Sequence, residues 1–333
     1  THLPDLQALA QEFAALTQFG NPRDQAAALH RQLAELGRSP TTVAAIEQHL
    51  LRYDSHSPEG FARLHQLLER QSWRLASWRT AADDINWRRF FDVNELAGLR
   101  VERATVFEAT HGKLFDLIAE GLVDGVRVDH IDGLADPGGY CRKLRRRIDS
   151  LSPDRHVPIY VEKILGGQEQ LPTDWGVDGT TGYEFMNQVS LLQHQPDGEQ
   201  ALALLWAAHS HRPADFKTEA LLARKQTLNG ALAGDFERVA LALQDVARSD
   251  IMTRDLTLGA IRRALQALVI HFPVYRTYIT AAGRSEADDA VFEQALAGAR
   301  ERLSEADWPV LEHLHQLLGG APWRSRPVGR SRT

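Results

Sequence analysis

Two short β-branched runs, Gly125 to Val128 and Val157 to Val161, constrain this chain more than any other feature. Between them Tyr140, Leu144 and Ile148 mark one face of a single helix. A parallel connection needs about a dozen residues or more, and one crossover helix supplies it. The runs therefore predict two neighbouring parallel strands, from about Leu122 to Asp129 and from Val157 to Lys163, joined as one βαβ unit. Ahead of them, Val106 to Ala119 carries apolar residues at Val106, Phe107, Leu114, Leu117 and Ile118 and stops at Gly121, a residue suited to closing a helix.

The remainder reads as helix. From Leu6 to about Leu75 apolar residues recur at helical spacing, as in Leu64, Leu67 and Leu68. Loop signals fall at Gly20-Asn21-Pro22, Gly37-Arg38-Ser39-Pro40 and Ser57-Pro58, so four or five helices and no strand are expected there. After Asn187 the helical period returns and runs to about Leu318, with breaks near His211-Arg212-Pro213 and Ala281-Ala282-Gly283. From Gly319 to Thr333 the chain is rich in Arg, Ser, Gly and Pro and lacks an apolar period, which predicts disorder. Four segments follow: a helical insertion over 1–80, an α/β segment over 81–190, a helical subdomain over 191–318 and the tail over 319–333. No convincing internal repeat is present.

Composition narrows the function classes. The formal charge is −6, and Lys and Arg are scattered rather than gathered in a stripe, so nucleic acid is not an expected partner. No apolar run approaches the length of a bilayer crossing, and even Ala264 to Ile270 is short and flanked by Arg263 and His271. Cys141 is the one cysteine and cannot form an internal disulfide, and no leader pattern opens the chain. These features predict a soluble, cytoplasmic protein acting on a neutral or small ligand. They leave its oligomeric state open.

Chemistry concentrates at the strand ends. In Asp124-Gly125-Val126-Arg127-Val128-Asp129-His130, alternation puts Arg127 and Asp129 on one face, which a barrel would bury. A buried arginine beside a carboxylate keeps it ionised, as a nucleophile at neutral pH requires. Taken alone, an Arg-x-Asp is more often an edge-strand ion pair on a solvated face. Glu162 lies near the end of the next strand, in Ile159-Tyr160-Val161-Glu162-Lys163. Adjacent parallel strands lie about 4.8 Å apart, and a retaining glycosidase separates its two carboxylates by roughly 5 to 5.5 Å. Spacing permits that chemistry, and it equally permits a Glu162 and Lys163 charge pair.

Longer motifs add a resemblance. Gly125 to Asp129 is similar to the nucleophile strand of the α-amylase superfamily, and Val161-Glu162 to its acid/base strand. The runs Ile85 to Gly98, Asp129 to Pro137, Glu162 to Leu165 and Asp178 to Phe185 together resemble the maltooligosyltrehalose synthases, more loosely so through Phe272-Pro273-Val274-Tyr275-Arg276. The resemblance implies an α/β fold, a partial (β/α)8 TIM barrel with large all-helical insertions and mostly α overall. It implies an isomerisation of maltooligosaccharides, with no cofactor and no metal, in which the reducing-end α-1,4 bond becomes α,α-1,1. Asp129 would then be the nucleophile, Glu162 the acid/base and Arg127 the group that orients Asp129. His130, Lys163, Arg89, Asp92 and Tyr183 would hold glucose, the last three on motif membership alone. A glucanotransferase or amylase using the same pair, and an inactive glucan-binding fragment, are the alternatives.

The chain departs from the superfamily pattern in two places. It contains no Asn-His dipeptide, which an early barrel strand normally supplies, and no strand-like run with an acidic end after Asn187. A full barrel needs eight strands in about 250 residues or more, whereas three or four can be named. The expectation is a central part of a longer enzyme, with the third carboxylate outside it.

Overall fold

The protein, seen in a computed structural model, is described over residues 4–16, 22–167, 169–279 and 283–320, and it divides into two compact units, Thr1–Trp78 and Arg79–Thr333. In the first unit four helices follow one another: α1 (Pro4–Ala15), α2 (Pro22–Leu36), α3 (Pro40–Leu50) and α4 (Pro58–Glu69). Each opens on proline, whose fixed φ suits the first turn and whose missing N–H is not needed there. Ser57 caps α4 by accepting the Gly60 N–H at 3.0 Å. α1 packs on α2, with Leu9 and Leu29 buried and Phe13 edge-on to His30. Four helices and no strand among the described residues match the expectation, although the Gly20-Asn21 loop signal lies outside them.

In the second unit a short helix, α5 (Ala81–Asp84), precedes a hairpin of β1 (Arg89–Phe90) and β2 (Val93–Ala97), paired antiparallel. Next come α6 (Ala104–Ala119), β3 (Val126–Val128), α7 (Pro137–Leu151), β4 (Ile159–Val161) and β5 (Gly179–Thr180). The last three strands form one parallel sheet in the order β3-β4-β5, with Val128 opposite Val161 and Val161 opposite Thr180. The predicted βαβ unit is therefore present, with shorter strands. One reason lies at the end of α6: Gly121 takes φ 74, its N–H bonds the Ile118 carbonyl, and the Leu122 N–H bonds that of Leu117. This is the Schellman closure, and it commits Leu122 to the helix end rather than to the sheet.

One face of the sheet is backed by helices. Val126, Ile159 and Val161 pack with Phe107, Phe115 and Ile118 of α6 and with Cys141, Leu144 and Ile148 of α7. Asp136 caps α7 by accepting the Gly139 N–H at 2.8 Å. Burial pushes the Cys141 thiol up to about 12, so it sits in this core as an uncharged apolar group. The opposite face carries Arg127 and Tyr160 and is open, Tyr160 being 44% exposed. Three strands with helices on one side do not define a barrel; what is seen is a mostly helical protein with two small sheets.

Helices α8 (Tyr183–Leu191), α9 (Glu199–Ser210), α10 (Phe216–Asn229), α11 (Ala233–Arg248), α12 (Leu258–Ile270), α13 (Glu286–Arg300) and α14 (Trp308–Leu318) complete the described chain. α9 ends where expected, at His211, which adopts a left-handed φ of 57. α12 is the centre of a second core, with Ala260, Ile261, Ala264, Leu265, Ala267 and Leu268 buried among α11, α13 and α14. From its end the segment Phe272 to Ile279 runs to the parallel sheet, where Arg276 Nη1 donates to the Asp132 and Leu134 carbonyls at 3.0 and 2.5 Å. The described helices include none long and apolar enough to cross a membrane. Most of the tail predicted to be disordered, and Ala281-Ala282, lie outside the described residues.

Candidate active site

Asp129 and Glu162 follow β3 and β4 directly and are neighbours across the sheet. Val128 pairs with Val161, and the Glu162 N–H donates to the Val128 carbonyl at 2.8 Å. Both therefore sit at the C-terminal end of adjacent parallel strands, where strand spacing is about 4.8 Å. Arg127 pairs with Asp129 at 2.7 Å, and the two side chains are 52% and 53% exposed. The pairing expected from sequence is present. The burial expected with it is not, because no second layer covers this face among the described residues.

His130 organises the turn that follows β3. It adopts φ 44 and ψ 48, and this left-handed turn aims its backbone N–H at Glu162 Oε2, 2.7 Å away. A glycine at 133 makes room for the imidazole, since a Cβ there would lie 2.6 Å from its ring. Phe91 stacks on that ring at 4.3 Å, Phe90 meets it edge-on at 5.0 Å, and the Tyr275 hydroxyl shares a 3.0 Å hydrogen bond with Nε2. Burial, reinforced by the Asp132 carboxylate, pushes the Tyr275 hydroxyl up, so it is a neutral O–H at neutral pH. One oxygen of Glu162 is thus held by an amide.

Lys163 points the other way, as alternation along a strand requires. It is 2% exposed and pairs with Asp132 at 3.5 Å and, more closely, with Glu169, while its ammonium lies 5.0 Å from the Tyr278 ring centre. The Tyr278 hydroxyl donates to the same Asp132. Lys163 therefore joins the turn after β3 to the loop after β4, rather than pairing with Glu162.

The other sequence candidates stand further off. Arg89, with its side chain 3% exposed, bonds Asn94 Oδ1 at 2.9 Å, the Ala231 carbonyl at 3.2 Å and Asp235 at 3.1 Å. Arg89 also donates to the carbonyl of Asp92, itself exposed at the hairpin turn. Arg88 from the same hairpin reaches the Gly133 carbonyl. Tyr183 is half-buried at the start of α8. Neither Arg89, Asp92 nor Tyr183 makes a hydrogen bond or ring contact with Asp129, Glu162 or His130 among the described residues. Phe90, Phe91 and Tyr275, which do approach His130, lie inside the motifs Ile85 to Gly98 and Phe272 to Arg276. The sequence signal for them was position in a motif, with nothing to set them above their neighbours.

A cavity of about 1150 Å³ lies elsewhere, bounded by Pro137, Trp175, Val274, Arg276, Tyr278 and Asp288. Neither strand-end carboxylate opens into it. The strand-end carboxylates thus stand on an open sheet face, outside that cavity.

No family model matches the chain. Over 137 residues, 41% of the chain, it is 44% identical to proteins named putative maltooligosyl trehalose synthase in two strains of Mycobacterium tuberculosis, CDC 1551 and H37Rv. That match spans 17% of their length. Among solved structures it is similar to maltooligosyltrehalose synthase from Arthrobacter ramosus, with a TM-score of 0.62 and 33% identity over 77% of this chain and 32% of that one. A glycosyltrehalose synthase, DSM5389, is similar with a TM-score of 0.57 and 30% identity, over 78% of this chain and 31% of the other. In sequence and in structure, then, the chain resembles part of the maltooligosyltrehalose synthases, and it spans about a third or less of the relatives it matches.

Proposed function

We propose that Asp129 and Glu162 are the nucleophile and the acid/base of a retaining intramolecular transglucosylation that forms maltooligosyltrehalose from maltodextrins. The observation that carries this reading is their register: two carboxylates side by side at the C-terminal ends of parallel strands, one paired with Arg127 and one held by the His130 amide. The names of the relatives support the same substrate class. In this reading the three parallel strands are an arc of a (β/α)8 barrel within 81–190, and 1–80 and 191–318 are helical insertions.

Asp129 attacks the anomeric carbon of the penultimate glucosyl unit while Glu162 gives its proton to the departing glycosidic oxygen. The released glucose then turns, and its anomeric hydroxyl attacks the glycosyl-enzyme as Glu162 takes the proton back. The new bond is α,α-1,1, and Asp129 is freed. Arg127 pairs with Asp129 and keeps it in line. His130 borders the glucose, while Lys163, expected from sequence to hold glucose, is buried and instead ties the turn after β3 to the loop after β4 through Asp132 and Glu169. Arg89 fixes the hairpin that carries Asp92, and Asp92 and Tyr183 are the outer polar contacts. Glucose must stay and water must not enter, since water attacks the same intermediate.

Incubation with maltopentaose and measurement of reducing ends tests this. Isomerisation removes one reducing end per event and releases no glucose, and Asp129→Ala should abolish it. Persistence of that isomerisation in Asp129→Ala would overturn the nucleophile assignment. One observation favours a second reading, hydrolysis or glucan transfer by the same pair: Arg127 and Asp129 are half-exposed, which leaves water a path to the intermediate. Constant or rising reducing ends with new products would select it.

A further inference from the structure

We infer that Phe91 is a sugar-stacking residue of this site, the platform on which a glucosyl ring of the maltooligosaccharide lies beside Asp129 and Glu162. The inference rests on the substrate class proposed above and goes beyond the residues that the sequence motifs assigned.

Three observations carry it. Phe91 occupies the turn between β1 and β2 with φ 51, a left-handed conformation that disfavours a bulky side chain and that glycine would take freely. The conformation is not explained by burial, because the residue is 52% exposed. Its ring is nevertheless held in place: it stacks on His130 at 4.3 Å and 27°, and Phe90 meets it edge-on at 4.6 Å and 77°. A strained, exposed and fixed aromatic ring serves folding poorly and a ligand well. Its support is also the residue that follows Asp129 and whose amide holds Glu162, so a single residue joins Phe91 to the carboxylate pair.

The chemistry of the occupant fits. A glucosyl ring presents an apolar C–H face that an aromatic surface covers, while its edge hydroxyls need polar partners. Tyr275, 62% exposed and hydrogen-bonded to His130, offers one such hydroxyl at the same place. A sugar stacked here also shields the open face from water at the point where water does most harm.

Titration calorimetry of the full chain with maltopentaose separates this from a structural role and from the chemistry above. Phe91→Ala and Phe91→Gly should each weaken binding about tenfold, whereas Phe91→Tyr should stay within about threefold of the parent. In urea, Phe91→Gly should unfold later than Phe91→Ala, since glycine relieves the left-handed turn. Equal affinity of Phe91→Ala and the parent overturns the inference, as does a parent chain that takes up no maltopentaose. Loss of binding in Phe91→Tyr together with early unfolding of Phe91→Gly overturns it as well, because the ring would then be a folding element. Failure of the isomerisation itself is read from reducing ends, so binding that depends on Phe91 without isomerisation would leave this inference standing and remove the other.

Discussion

Lys163 is buried among partners that suit a cation. Its side chain is 1% exposed, and Asp132, Glu169 and the Tyr278 ring are what offset the loss of water. Replacing it with methionine leaves two carboxylates without their cation, and breaking a buried pair from one side destabilises by about 3 to 5 kcal/mol. Lys163→Met should therefore lower the urea midpoint clearly, while the double variant Lys163→Met with Asp132→Asn should recover part of the loss. No recovery in the double variant would mean that the pair is not coupled as drawn. The residue was legible in the sequence as a charge beside Glu162, and its direction follows from alternation. Its partners were not legible, because Asp132 and Tyr278 lie 31 and 115 residues away in a chain whose topology was known for one βαβ unit only. Phe91 escaped for a related reason: a left-handed φ at a phenylalanine leaves no mark in the residue types around it.

At the scale of elements, Asp178 ties α7, the start of β4 and the segment before β5 together. Its carboxylate accepts the Ile159 N–H at 2.7 Å at the start of β4, Arg145 Nη2 of α7 at 2.5 Å and His156 Nε2 at 2.6 Å, while its own N–H bonds the Ile159 carbonyl. Burial opposes ionisation of this carboxylate, but the Ile159 amide, His156 and Arg145 together outweigh it and hold its pKa below the ordinary range. A depressed carboxylate stabilises the folded chain above its unfolded value, about 3.9, and loses that contribution as pH falls through the folded value. Asp178→Asn should thus cost about 1.5 to 3 kcal/mol at neutral pH, with the gap to the parent closing below about pH 3.9. A gap that stays constant with pH, followed by denaturant titrations, would assign the loss to shape rather than charge. The βαβ unit that Asp178 braces was legible because its β-branched runs and its helical period are long enough to carry a pattern. The two-residue strands β1 and β5 are too short for any period, so the pairing of the hairpin and of the third parallel strand came only with the structure.

Across the whole molecule, burial is unevenly shared, and local stability should follow it. In the unit Thr1–Trp78 the buried large apolar side chains among the described residues are Leu9 and Leu29, and α3 and α4 bury only Thr42 and Gly60. α12 alone buries six apolar residues, and the sheet core gathers Phe107, Ile118, Leu144, Ile148, Ile159 and Val161. Fully burying a leucine or isoleucine contributes about 1.5 to 3 kcal/mol, so two such residues cannot hold four helices as firmly as α12 is held. The helical period that made α1 to α4 legible reports which residues could face a core, not how much core there is to face. Hydrogen exchange should therefore open the amides of α1 to α4 first and those of α12, β3 and β4 last, with the Phe272 to Ile279 segment in between, since it is anchored by Arg276 and Tyr278 but pairs with no strand. Because Tyr275 and Tyr278 both belong to that segment, maltopentaose should slow its exchange and that of the Phe91 turn together while leaving α12 unchanged. Uniform slowing across α12 as well would instead point to a sugar that stabilises the fold at large, without resting on the site at the ends of β3 and β4.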